Sequence, residues 1–202
     1  MKQILFISSS INGDKGHSVQ LAQQFIAQLP QGNVTVDTLD LNTNPVPHLD
    51  MSEMAAWMTP AEQRTDAQKK LAAISDDIIA RVKAADVIVL GAPMYNFGIP
   101  SQLKALLDRV ARAGITFKYT EQGPVGLLED KPVVIFATRG GIYQGTALDS
   151  QTPFLQTFFN FVGLKDIHFV YAEGLNMGTD AQQAALTAAR TRLSEISAKI
   201  AA

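Results

Sequence analysis

Cysteine is absent from the 202 residues, so the chain has no disulfide and no thiolate nucleophile, and four-thiolate zinc and iron–sulfur sites are excluded. A reducing compartment suits such a composition. Excess charge of one sign is also missing: 17 Lys and Arg against 19 Asp and Glu leave a net charge of -2, with no cationic cluster to hold nucleic acid or an anionic membrane surface. Long hydrophobic runs are lacking as well. The opening stretch MKQILFISSS is too short in its apolar part for a signal peptide or a membrane span, and is expected to be the first strand of a cytoplasmic protein. No Gly-x-x-x-x-Gly-Lys-Ser/Thr or Gly-x-Gly-x-x-Gly follows that strand, and no Gly-x-Ser-x-Gly elbow is present. Triphosphate-loop, dinucleotide-fingerprint and serine-hydrolase chemistry therefore lack their motifs. The histidines His17, His48 and His168 have no metal-ligand spacing, and no metal is expected.

What is present is a regular alternation. With 47% hydrophobic residues the chain can build one sizeable core, and residues 1–202 read as a single domain. Apolar runs at Ile4–Ile7, Val34–Leu39, Val87–Ala92, Val133–Ala137 and Ile167–Tyr171 predict five strands. Stripes of helical period fall between and after them: Leu21/Phe25/Leu29, Leu71/Ile74/Ile78/Val82, Leu103/Leu106/Leu107/Val110, Phe154/Phe158/Val162 and Leu186/Leu193/Ile196/Ile200. Thr59-Pro60-Ala61-Glu62 has the spacing of a capping box, and Gly163 ends the fourth stripe. Each parallel crossover must carry a helix, so the pattern predicts a doubly wound α/β fold with helices on both faces. The segment Asn42–Asp66, with three prolines, three methionines and Trp57, is longer than an ordinary strand-to-helix connection and is expected to be an insertion within the domain.

In open α/β sheets ligands bind beyond the C-terminal strand ends, where strand order reverses. Three loops meet that description. After strand one, SSSINGDKGHS leads hydroxyls and glycines into a helix N-terminus, which favours a phosphate, although a plain helix cap would use the same residues. After strand three, APMYNFGIP places Met94, Tyr95 and Phe97 on a loop, as either a small apolar cluster or a cover for a flat ligand. After strand four, Thr138-Arg139-Gly140-Gly141 offers backbone that can approach such a ligand closely, or a tight turn. One phosphate, a polar chain and a large planar ring would use all three loops. Flavin mononucleotide (FMN) has those parts, and in the strand order 2-1-3-4-5 it binds between strands one and three.

The stretch APMYNFGIPSQLKALLDRVARAGITFKYTEQGPVGLL together with TRGG resembles the FMN-dependent NADH-azoreductases, a flavodoxin-like family that also reduces quinones, and the likeness runs from SSS through FVYAEG. The resemblance implies that Ser10 and the Gly16-His17-Ser18 turn hold the phosphate, that Met94, Tyr95, Asn96 and Phe97 border the ribityl chain and ring, and that Thr138, Arg139, Gly140 and Gly141 close the ring's pyrimidine side. Many relatives have Ser-x-Ser where this chain has Gly16-His17-Ser18, leaving backbone N–H groups or His17 to compensate. The same resemblance implies a homodimer with active sites at the interface, on which Asn42–Asp66 and the FKYTEQGP loop would pack. Tyr119 and Phe161 are then either walls for a planar substrate or ordinary core aromatics.

The activity so implied is alternating: hydride from NADH to the flavin, then two electrons to a quinone or an azo compound, with azo cleavage to amines taking two rounds. No side chain is assigned as a catalytic group. NADPH is the alternative donor, with Arg64 and Lys118 as candidate phosphate partners. A response-regulator role is disfavoured by Ser8 and Ala92 where that chemistry needs aspartates. Asp86 and Asp108 are read as solvated or capping carboxylates. The rival of another class is an electron-carrier flavodoxin without its own substrate, typically far more acidic than -2.

Overall fold

The three strongest apolar runs become the middle of one parallel sheet, because backbone groups buried on both faces must pair with each other rather than with water. The computed structural model describes residues 1–30, 32 and 34–201. Along the chain lie β1 (Lys2–Ser8), α1 (His17–Gln28), β2 (Val34–Asp40), α2 (Met51–Met58), α3 (Asp66–Ala84), β3 (Val87–Pro93) and α4 (Ser101–Val110). They are followed by β4 (Phe117–Thr120), β5 (Gly123–Gly126), β6 (Val133–Thr138), α5 (Gln151–Val162), β7 (Ile167–Ala172) and α6 (Thr179–Ala201). The main sheet has the order β2-β1-β3-β6-β7 with every pairing parallel. Counting only these five strands, that is the expected 2-1-3-4-5.

Alternate residues of each strand face opposite ways. Leu5, Ile7, Ile88, Leu90, Val133 and Ile135 pack with α3, α4 and α5 residues such as Ile78, Leu103 and Leu155. Their neighbours Ile4, Phe6, Val87, Val89, Val134 and Phe136 pack with Leu21 and Phe25 of α1 and Leu193 and Ile196 of α6. β2 is an edge strand with most of its residues exposed or half-buried, which explains its weaker apolar signal.

Two elements were not legible in the sequence. Residues 117–126 form an antiparallel hairpin, β4 with β5, instead of a plain loop, pairing Phe117 with Gly126 and Tyr119 with Pro124. Within the Asn42–Asp66 insertion, α2 starts at Asp50, whose side chain accepts from Glu53 N at 2.9 Å. Glu53 in turn forms a buried ion pair with Arg109 of α4, and Arg109 also donates to the Pro47 carbonyl. That pair fastens the insertion to the domain, since separating it would leave a charge buried without a partner.

The capping box expected at Thr59–Glu62 does not form. Thr59 is already occupied: its hydroxyl donates to Ala55 O at the end of α2, and Pro60 caps a single 3-10 turn, Ala61–Gln63, without a side-chain bond. The Thr-x-x-Glu/Gln spacing occurs again six residues later and is used there. Thr65 Oγ1 accepts from Gln68 N at 3.3 Å and Gln68 Oε1 accepts from Thr65 N at 2.9 Å, opening α3. Gly163 does end α5, in the left-handed region at φ 107°. Thr65→Ala is expected to cost about 1 kcal/mol and lower Tm by roughly 2–4 °C, whereas Glu62→Ala should stay within about 0.5 kcal/mol. Thermal unfolding of the two variants checks the placement of the cap.

Candidate functional site

The loops after β1, β3 and β6 leave the same sheet edge and are bonded to one another. Ser9 donates through its N–H (3.2 Å) and its hydroxyl (2.7 Å) to Gly91 O of β3, and Ile11 N donates to the Tyr95 hydroxyl at 3.2 Å. Met94 N donates to Thr138 O at 2.9 Å. Ser10, Met94, Tyr95, Asn96, Phe97, Thr138, Gly140 and Gly141 are thereby brought to one edge.

The first loop delivers the chain into α1 through a 3-10 turn, Gly13–Lys15. Gly16 caps α1 with no side-chain bond, and its carbonyl accepts from Val19 N and Gln20 N, so the His17 and Ser18 N–H groups begin the helix unbonded. A Cβ on Gly16 would lie 2.2 Å from Ser10 Oγ, so a side chain at this position would displace Ser10. Ser18 Oγ is buried and has no partner. A hydroxyl in that condition costs about 1–3 kcal/mol unless an acceptor meets it. The His17 ring turns to α6, with Nε2 3.3 Å from Gln182 Nε2, so only its backbone is presented at the helix start.

The second loop is a tight turn. Tyr95 and Gly98 exchange two backbone bonds of 3.0 Å around Asn96 and Phe97, at φ 48° and 67°. Asparagine tolerates this left-handed region, but phenylalanine is strained there. Phe97 is 51% exposed, its ring set edge-on to Tyr143 at 5.5 Å, and its carbonyl accepts from the Ser150 hydroxyl. Strain and exposure together on an aromatic residue mark a surface kept for contact.

In the third loop Gly140 and Gly141 lie against neighbouring side-chain ends: a Cβ would be 2.6 Å from Asn176 Nδ2 or Tyr143 OH respectively, so a side chain at either position would make that neighbour shift. The Arg139 side chain does not join them at the edge. It turns inward, 1% exposed, donating to Gln151 (3.2 Å), Glu173 (3.0 Å), Asp149 (2.9 Å) and Thr152 (2.9 Å), with the Tyr171 ring 5.1 Å from its guanidinium carbon. Asp149, Gln151 and Glu173 are residues the sequence reasoning missed, since isolated polar positions next to an arginine carry no periodic signal.

Tyr119 and Phe161 lie elsewhere. They flank Phe117 of the hairpin, with ring separations of 5.5 and 4.3 Å. Phe161 is in the last turn of α5, whose first turn is the one beside Phe97, so about 15 Å of helix separates it from the loops. Within one chain the two aromatics are not walls of this site. Arg64 is engaged by Thr59 O (3.0 Å) in the insertion and by Asp76 of α3 (4.0 Å), and Lys118 is exposed on the hairpin. Asp86 accepts from Gln3 N, and Asp108 pairs with Lys104 at 2.6 Å.

A family model described as flavodoxin-like fold matches residues 2–196. The chain belongs to the flavodoxin-like fold family. Among curated relatives, an FMN-dependent NADH:quinone oxidoreductase of Alteromonas mediterranea is 52% identical over 197 residues, covering 97% of this chain and 98% of that protein. One of the same name from Cellvibrio japonicus is 58% identical over 182 residues, covering 88% and 90%. Among solved structures, an FMN-dependent NADH-azoreductase from Bacillus anthracis in complex with FMN superposes with a TM-score of 0.89 at 28% identity, covering all of both chains. In flavodoxin-like folds the β1/β3 boundary is the flavin position, and here that boundary carries the unpartnered Ser18 and the uncapped start of α1.

Burial pushes the Asp149 carboxyl up, but the Thr152 N–H, the Thr152 hydroxyl and the Arg139 guanidinium together outweigh it and hold Asp149 below the ordinary carboxylate value. A carboxylate lowered on folding stabilises the native state above its unfolded value of about 3.9, and that contribution is lost as pH falls through the lower folded value. Asp149→Asn should therefore be less stable than the wild type near neutrality, with the gap closing as the pH drops from about 5 toward 2. Denaturant unfolding across that range measures it.

Proposed function

We propose that this protein is an FMN-dependent NADH oxidoreductase that reduces quinones and azo compounds. The observation that carries the proposal is the buried, unpartnered Ser18 hydroxyl beside the open N–H groups of His17 and Ser18. Phosphate oxygens there would satisfy all three donors at once and lie at the positive end of the α1 dipole. The residues present fit FMN, and full-length relatives at 52% and 58% identity bear that activity in their names. Bound at this edge, FMN would supply the two-electron chemistry, so that NADH and the oxidised acceptor use one site in turn.

The chain's own part is positioning and exclusion of water. Ser10 and the Gly16–Ser18 backbone would hold the phosphate, while Tyr95, fixed by the Ile11 N–H, and Asn96 would run beside the polar chain. The Gly140 and Gly141 backbone, without side chains of its own, would approach the ring closely, and the exposed Phe97 ring would stack a flat acceptor. Arg139 would serve from behind rather than by contact. The relatives' names disfavour an electron carrier without its own substrate.

The proposal extends to a single doubly wound domain, supported by one core cluster on each side of the sheet, and to a homodimer. Met51 and Met58 of α2 are 74% and 80% exposed and Tyr119 is 74% exposed, an apolar surface that a second copy would cover. Tyr119 and Phe161, remote from the loops of their own chain, would then serve the neighbouring site. NADH is the donor assigned, as it is in the names of the relatives. Among the described residues no helix is long and apolar enough to cross a membrane. A cytoplasmic location completes the proposal and suits a chain without cysteine.

Purified protein should show flavin bands in the visible spectrum that bleach on anaerobic addition of NADH and return with menadione or an azo dye. A colourless protein that cannot be reconstituted with FMN would refute the function. Ser18→Ala is expected to weaken FMN binding about tenfold or more and to leave riboflavin, which lacks the phosphate, within about twofold. Phe97→Asn should retain or slightly raise stability, because asparagine accepts the left-handed backbone, while raising KM for quinones several-fold over that of the wild type. Flavin titration, thermal unfolding and steady-state kinetics check the two variants.

A further inference from the structure

Resting on the flavin function proposed above, we infer that Arg139 is a positioning residue that sets the separation of the 94–98 turn and the 140–144 loop, through Glu173 on one side and Asp149 and Gln151 on the other. The guanidinium is 1% exposed and touches neither loop's outer surface, yet it stands where the supports of both meet.

On one side, Glu173 Oε1 accepts from Arg139 Nη1 at 3.0 Å and from the backbone N–H groups of Tyr143 and Gln144, both at 2.9 Å. By accepting from both N–H groups, the carboxylate holds the turn that follows Gly140-Gly141 and with it the Tyr143 ring. On the other side, Nε bonds Gln151 Oε1 at 3.2 Å, and Gln151 Nε2 donates to Ala92 O (3.1 Å) and Pro93 O (3.2 Å), the last residues of β3 before the turn. Nη2 bonds Asp149 Oδ1 and Thr152 Oγ1, both at 2.9 Å, fixing the start of α5. The next residue, Ser150, donates its hydroxyl to the carbonyl of the strained Phe97.

A planar fork with donors on three nitrogens can hold these acceptors at once; an ammonium with three rotatable donors cannot. The Phe97 and Tyr143 rings, which meet at 5.5 Å, are thus supported from a single buried cation. Arg139 itself bonds only side chains, and it is Glu173 and Gln151 that carry its position to the backbone of the two loops. Two carboxylates around one guanidinium also leave the cluster one charge short, which the Tyr143 and Gln144 N–H dipoles offset.

Arg139→Lys and Glu173→Gln test this directly, the second keeping the test open where the first does not fold. In flavin-free protein the Tyr143 and Gln144 amides are expected to exchange with solvent at least tenfold faster in both variants than in the wild type, measured well below Tm. In titrations, FMN and riboflavin should weaken together by about tenfold, because the ring loops are displaced while the phosphate turn is not, in contrast to the phosphate-selective loss expected of Ser18→Ala. A lowered Tm with wild-type amide exchange and wild-type riboflavin affinity would mean a merely structural role and overturn the inference. Weakening of FMN alone would overturn it as well, since the loss would then lie at the phosphate and not at the ring loops. Wild-type protein that takes up neither flavin would overturn the proposed function, and this inference with it.

Discussion

Pro93 stands opposite Thr138 and Ser8 opposite Gly91 because the strands that carry them are buried and can satisfy their backbone groups only in each other. That pairing register is the constraint on which the site depends. It starts the loops after β3 and β6 at one height along the sheet edge and the loop after β1 two residues lower, and the bonds from Ser9 to Gly91 O and from Met94 to Thr138 O continue the pairing one residue beyond the strands. A slip of one residue would exchange the two core faces and move every loop.

Beyond the strand ends the backbone is held in places that tolerate little change. Gly16 lies against the Ser10 hydroxyl, Gly140 against Asn176 and Gly141 against Tyr143, each so close that a Cβ would displace the neighbour. Phe97 occupies a left-handed conformation that its side chain disfavours, retained because Tyr95, Gly98 and Ser150 hold the turn from both sides. Such strain persists only where the surroundings over-determine it. Here the surroundings include a cation, Arg139, that is wholly inside the protein and supports the edge without forming part of it.

The insertion between β2 and α3 is anchored by different means. Its buried ion pair, Glu53 with Arg109, and the placement of Arg112 4.9 Å over the Trp57 ring fasten it to α4 and the chain just beyond, while its methionines remain outward. Removing one member of such a pair is far more costly than the pair is stabilising, which makes the contact a device of placement more than of stability. The same segment therefore has a fixed inner side and an apolar outer side.

The sequence by itself determined the five strands of the parallel sheet, the helices that cross between them, the C-terminal sheet edge as the place to look and the three loops that leave it. Those features follow from periodicity and from turn residues, which are properties of neighbouring positions. It did not determine which of two Thr-x-x-Glu/Gln spacings caps α3, because Thr59 was already bonded to the preceding helix. Nor did it separate Arg139 from its neighbours Gly140 and Gly141, or reveal that Asp149, Gln151 and Glu173 gather round it, or that Tyr119 and Phe161 lie at the far end of α5. Only the tertiary structure decided these, because the direction of a single polar side chain depends on partners 10 to 34 residues away that no local pattern encodes.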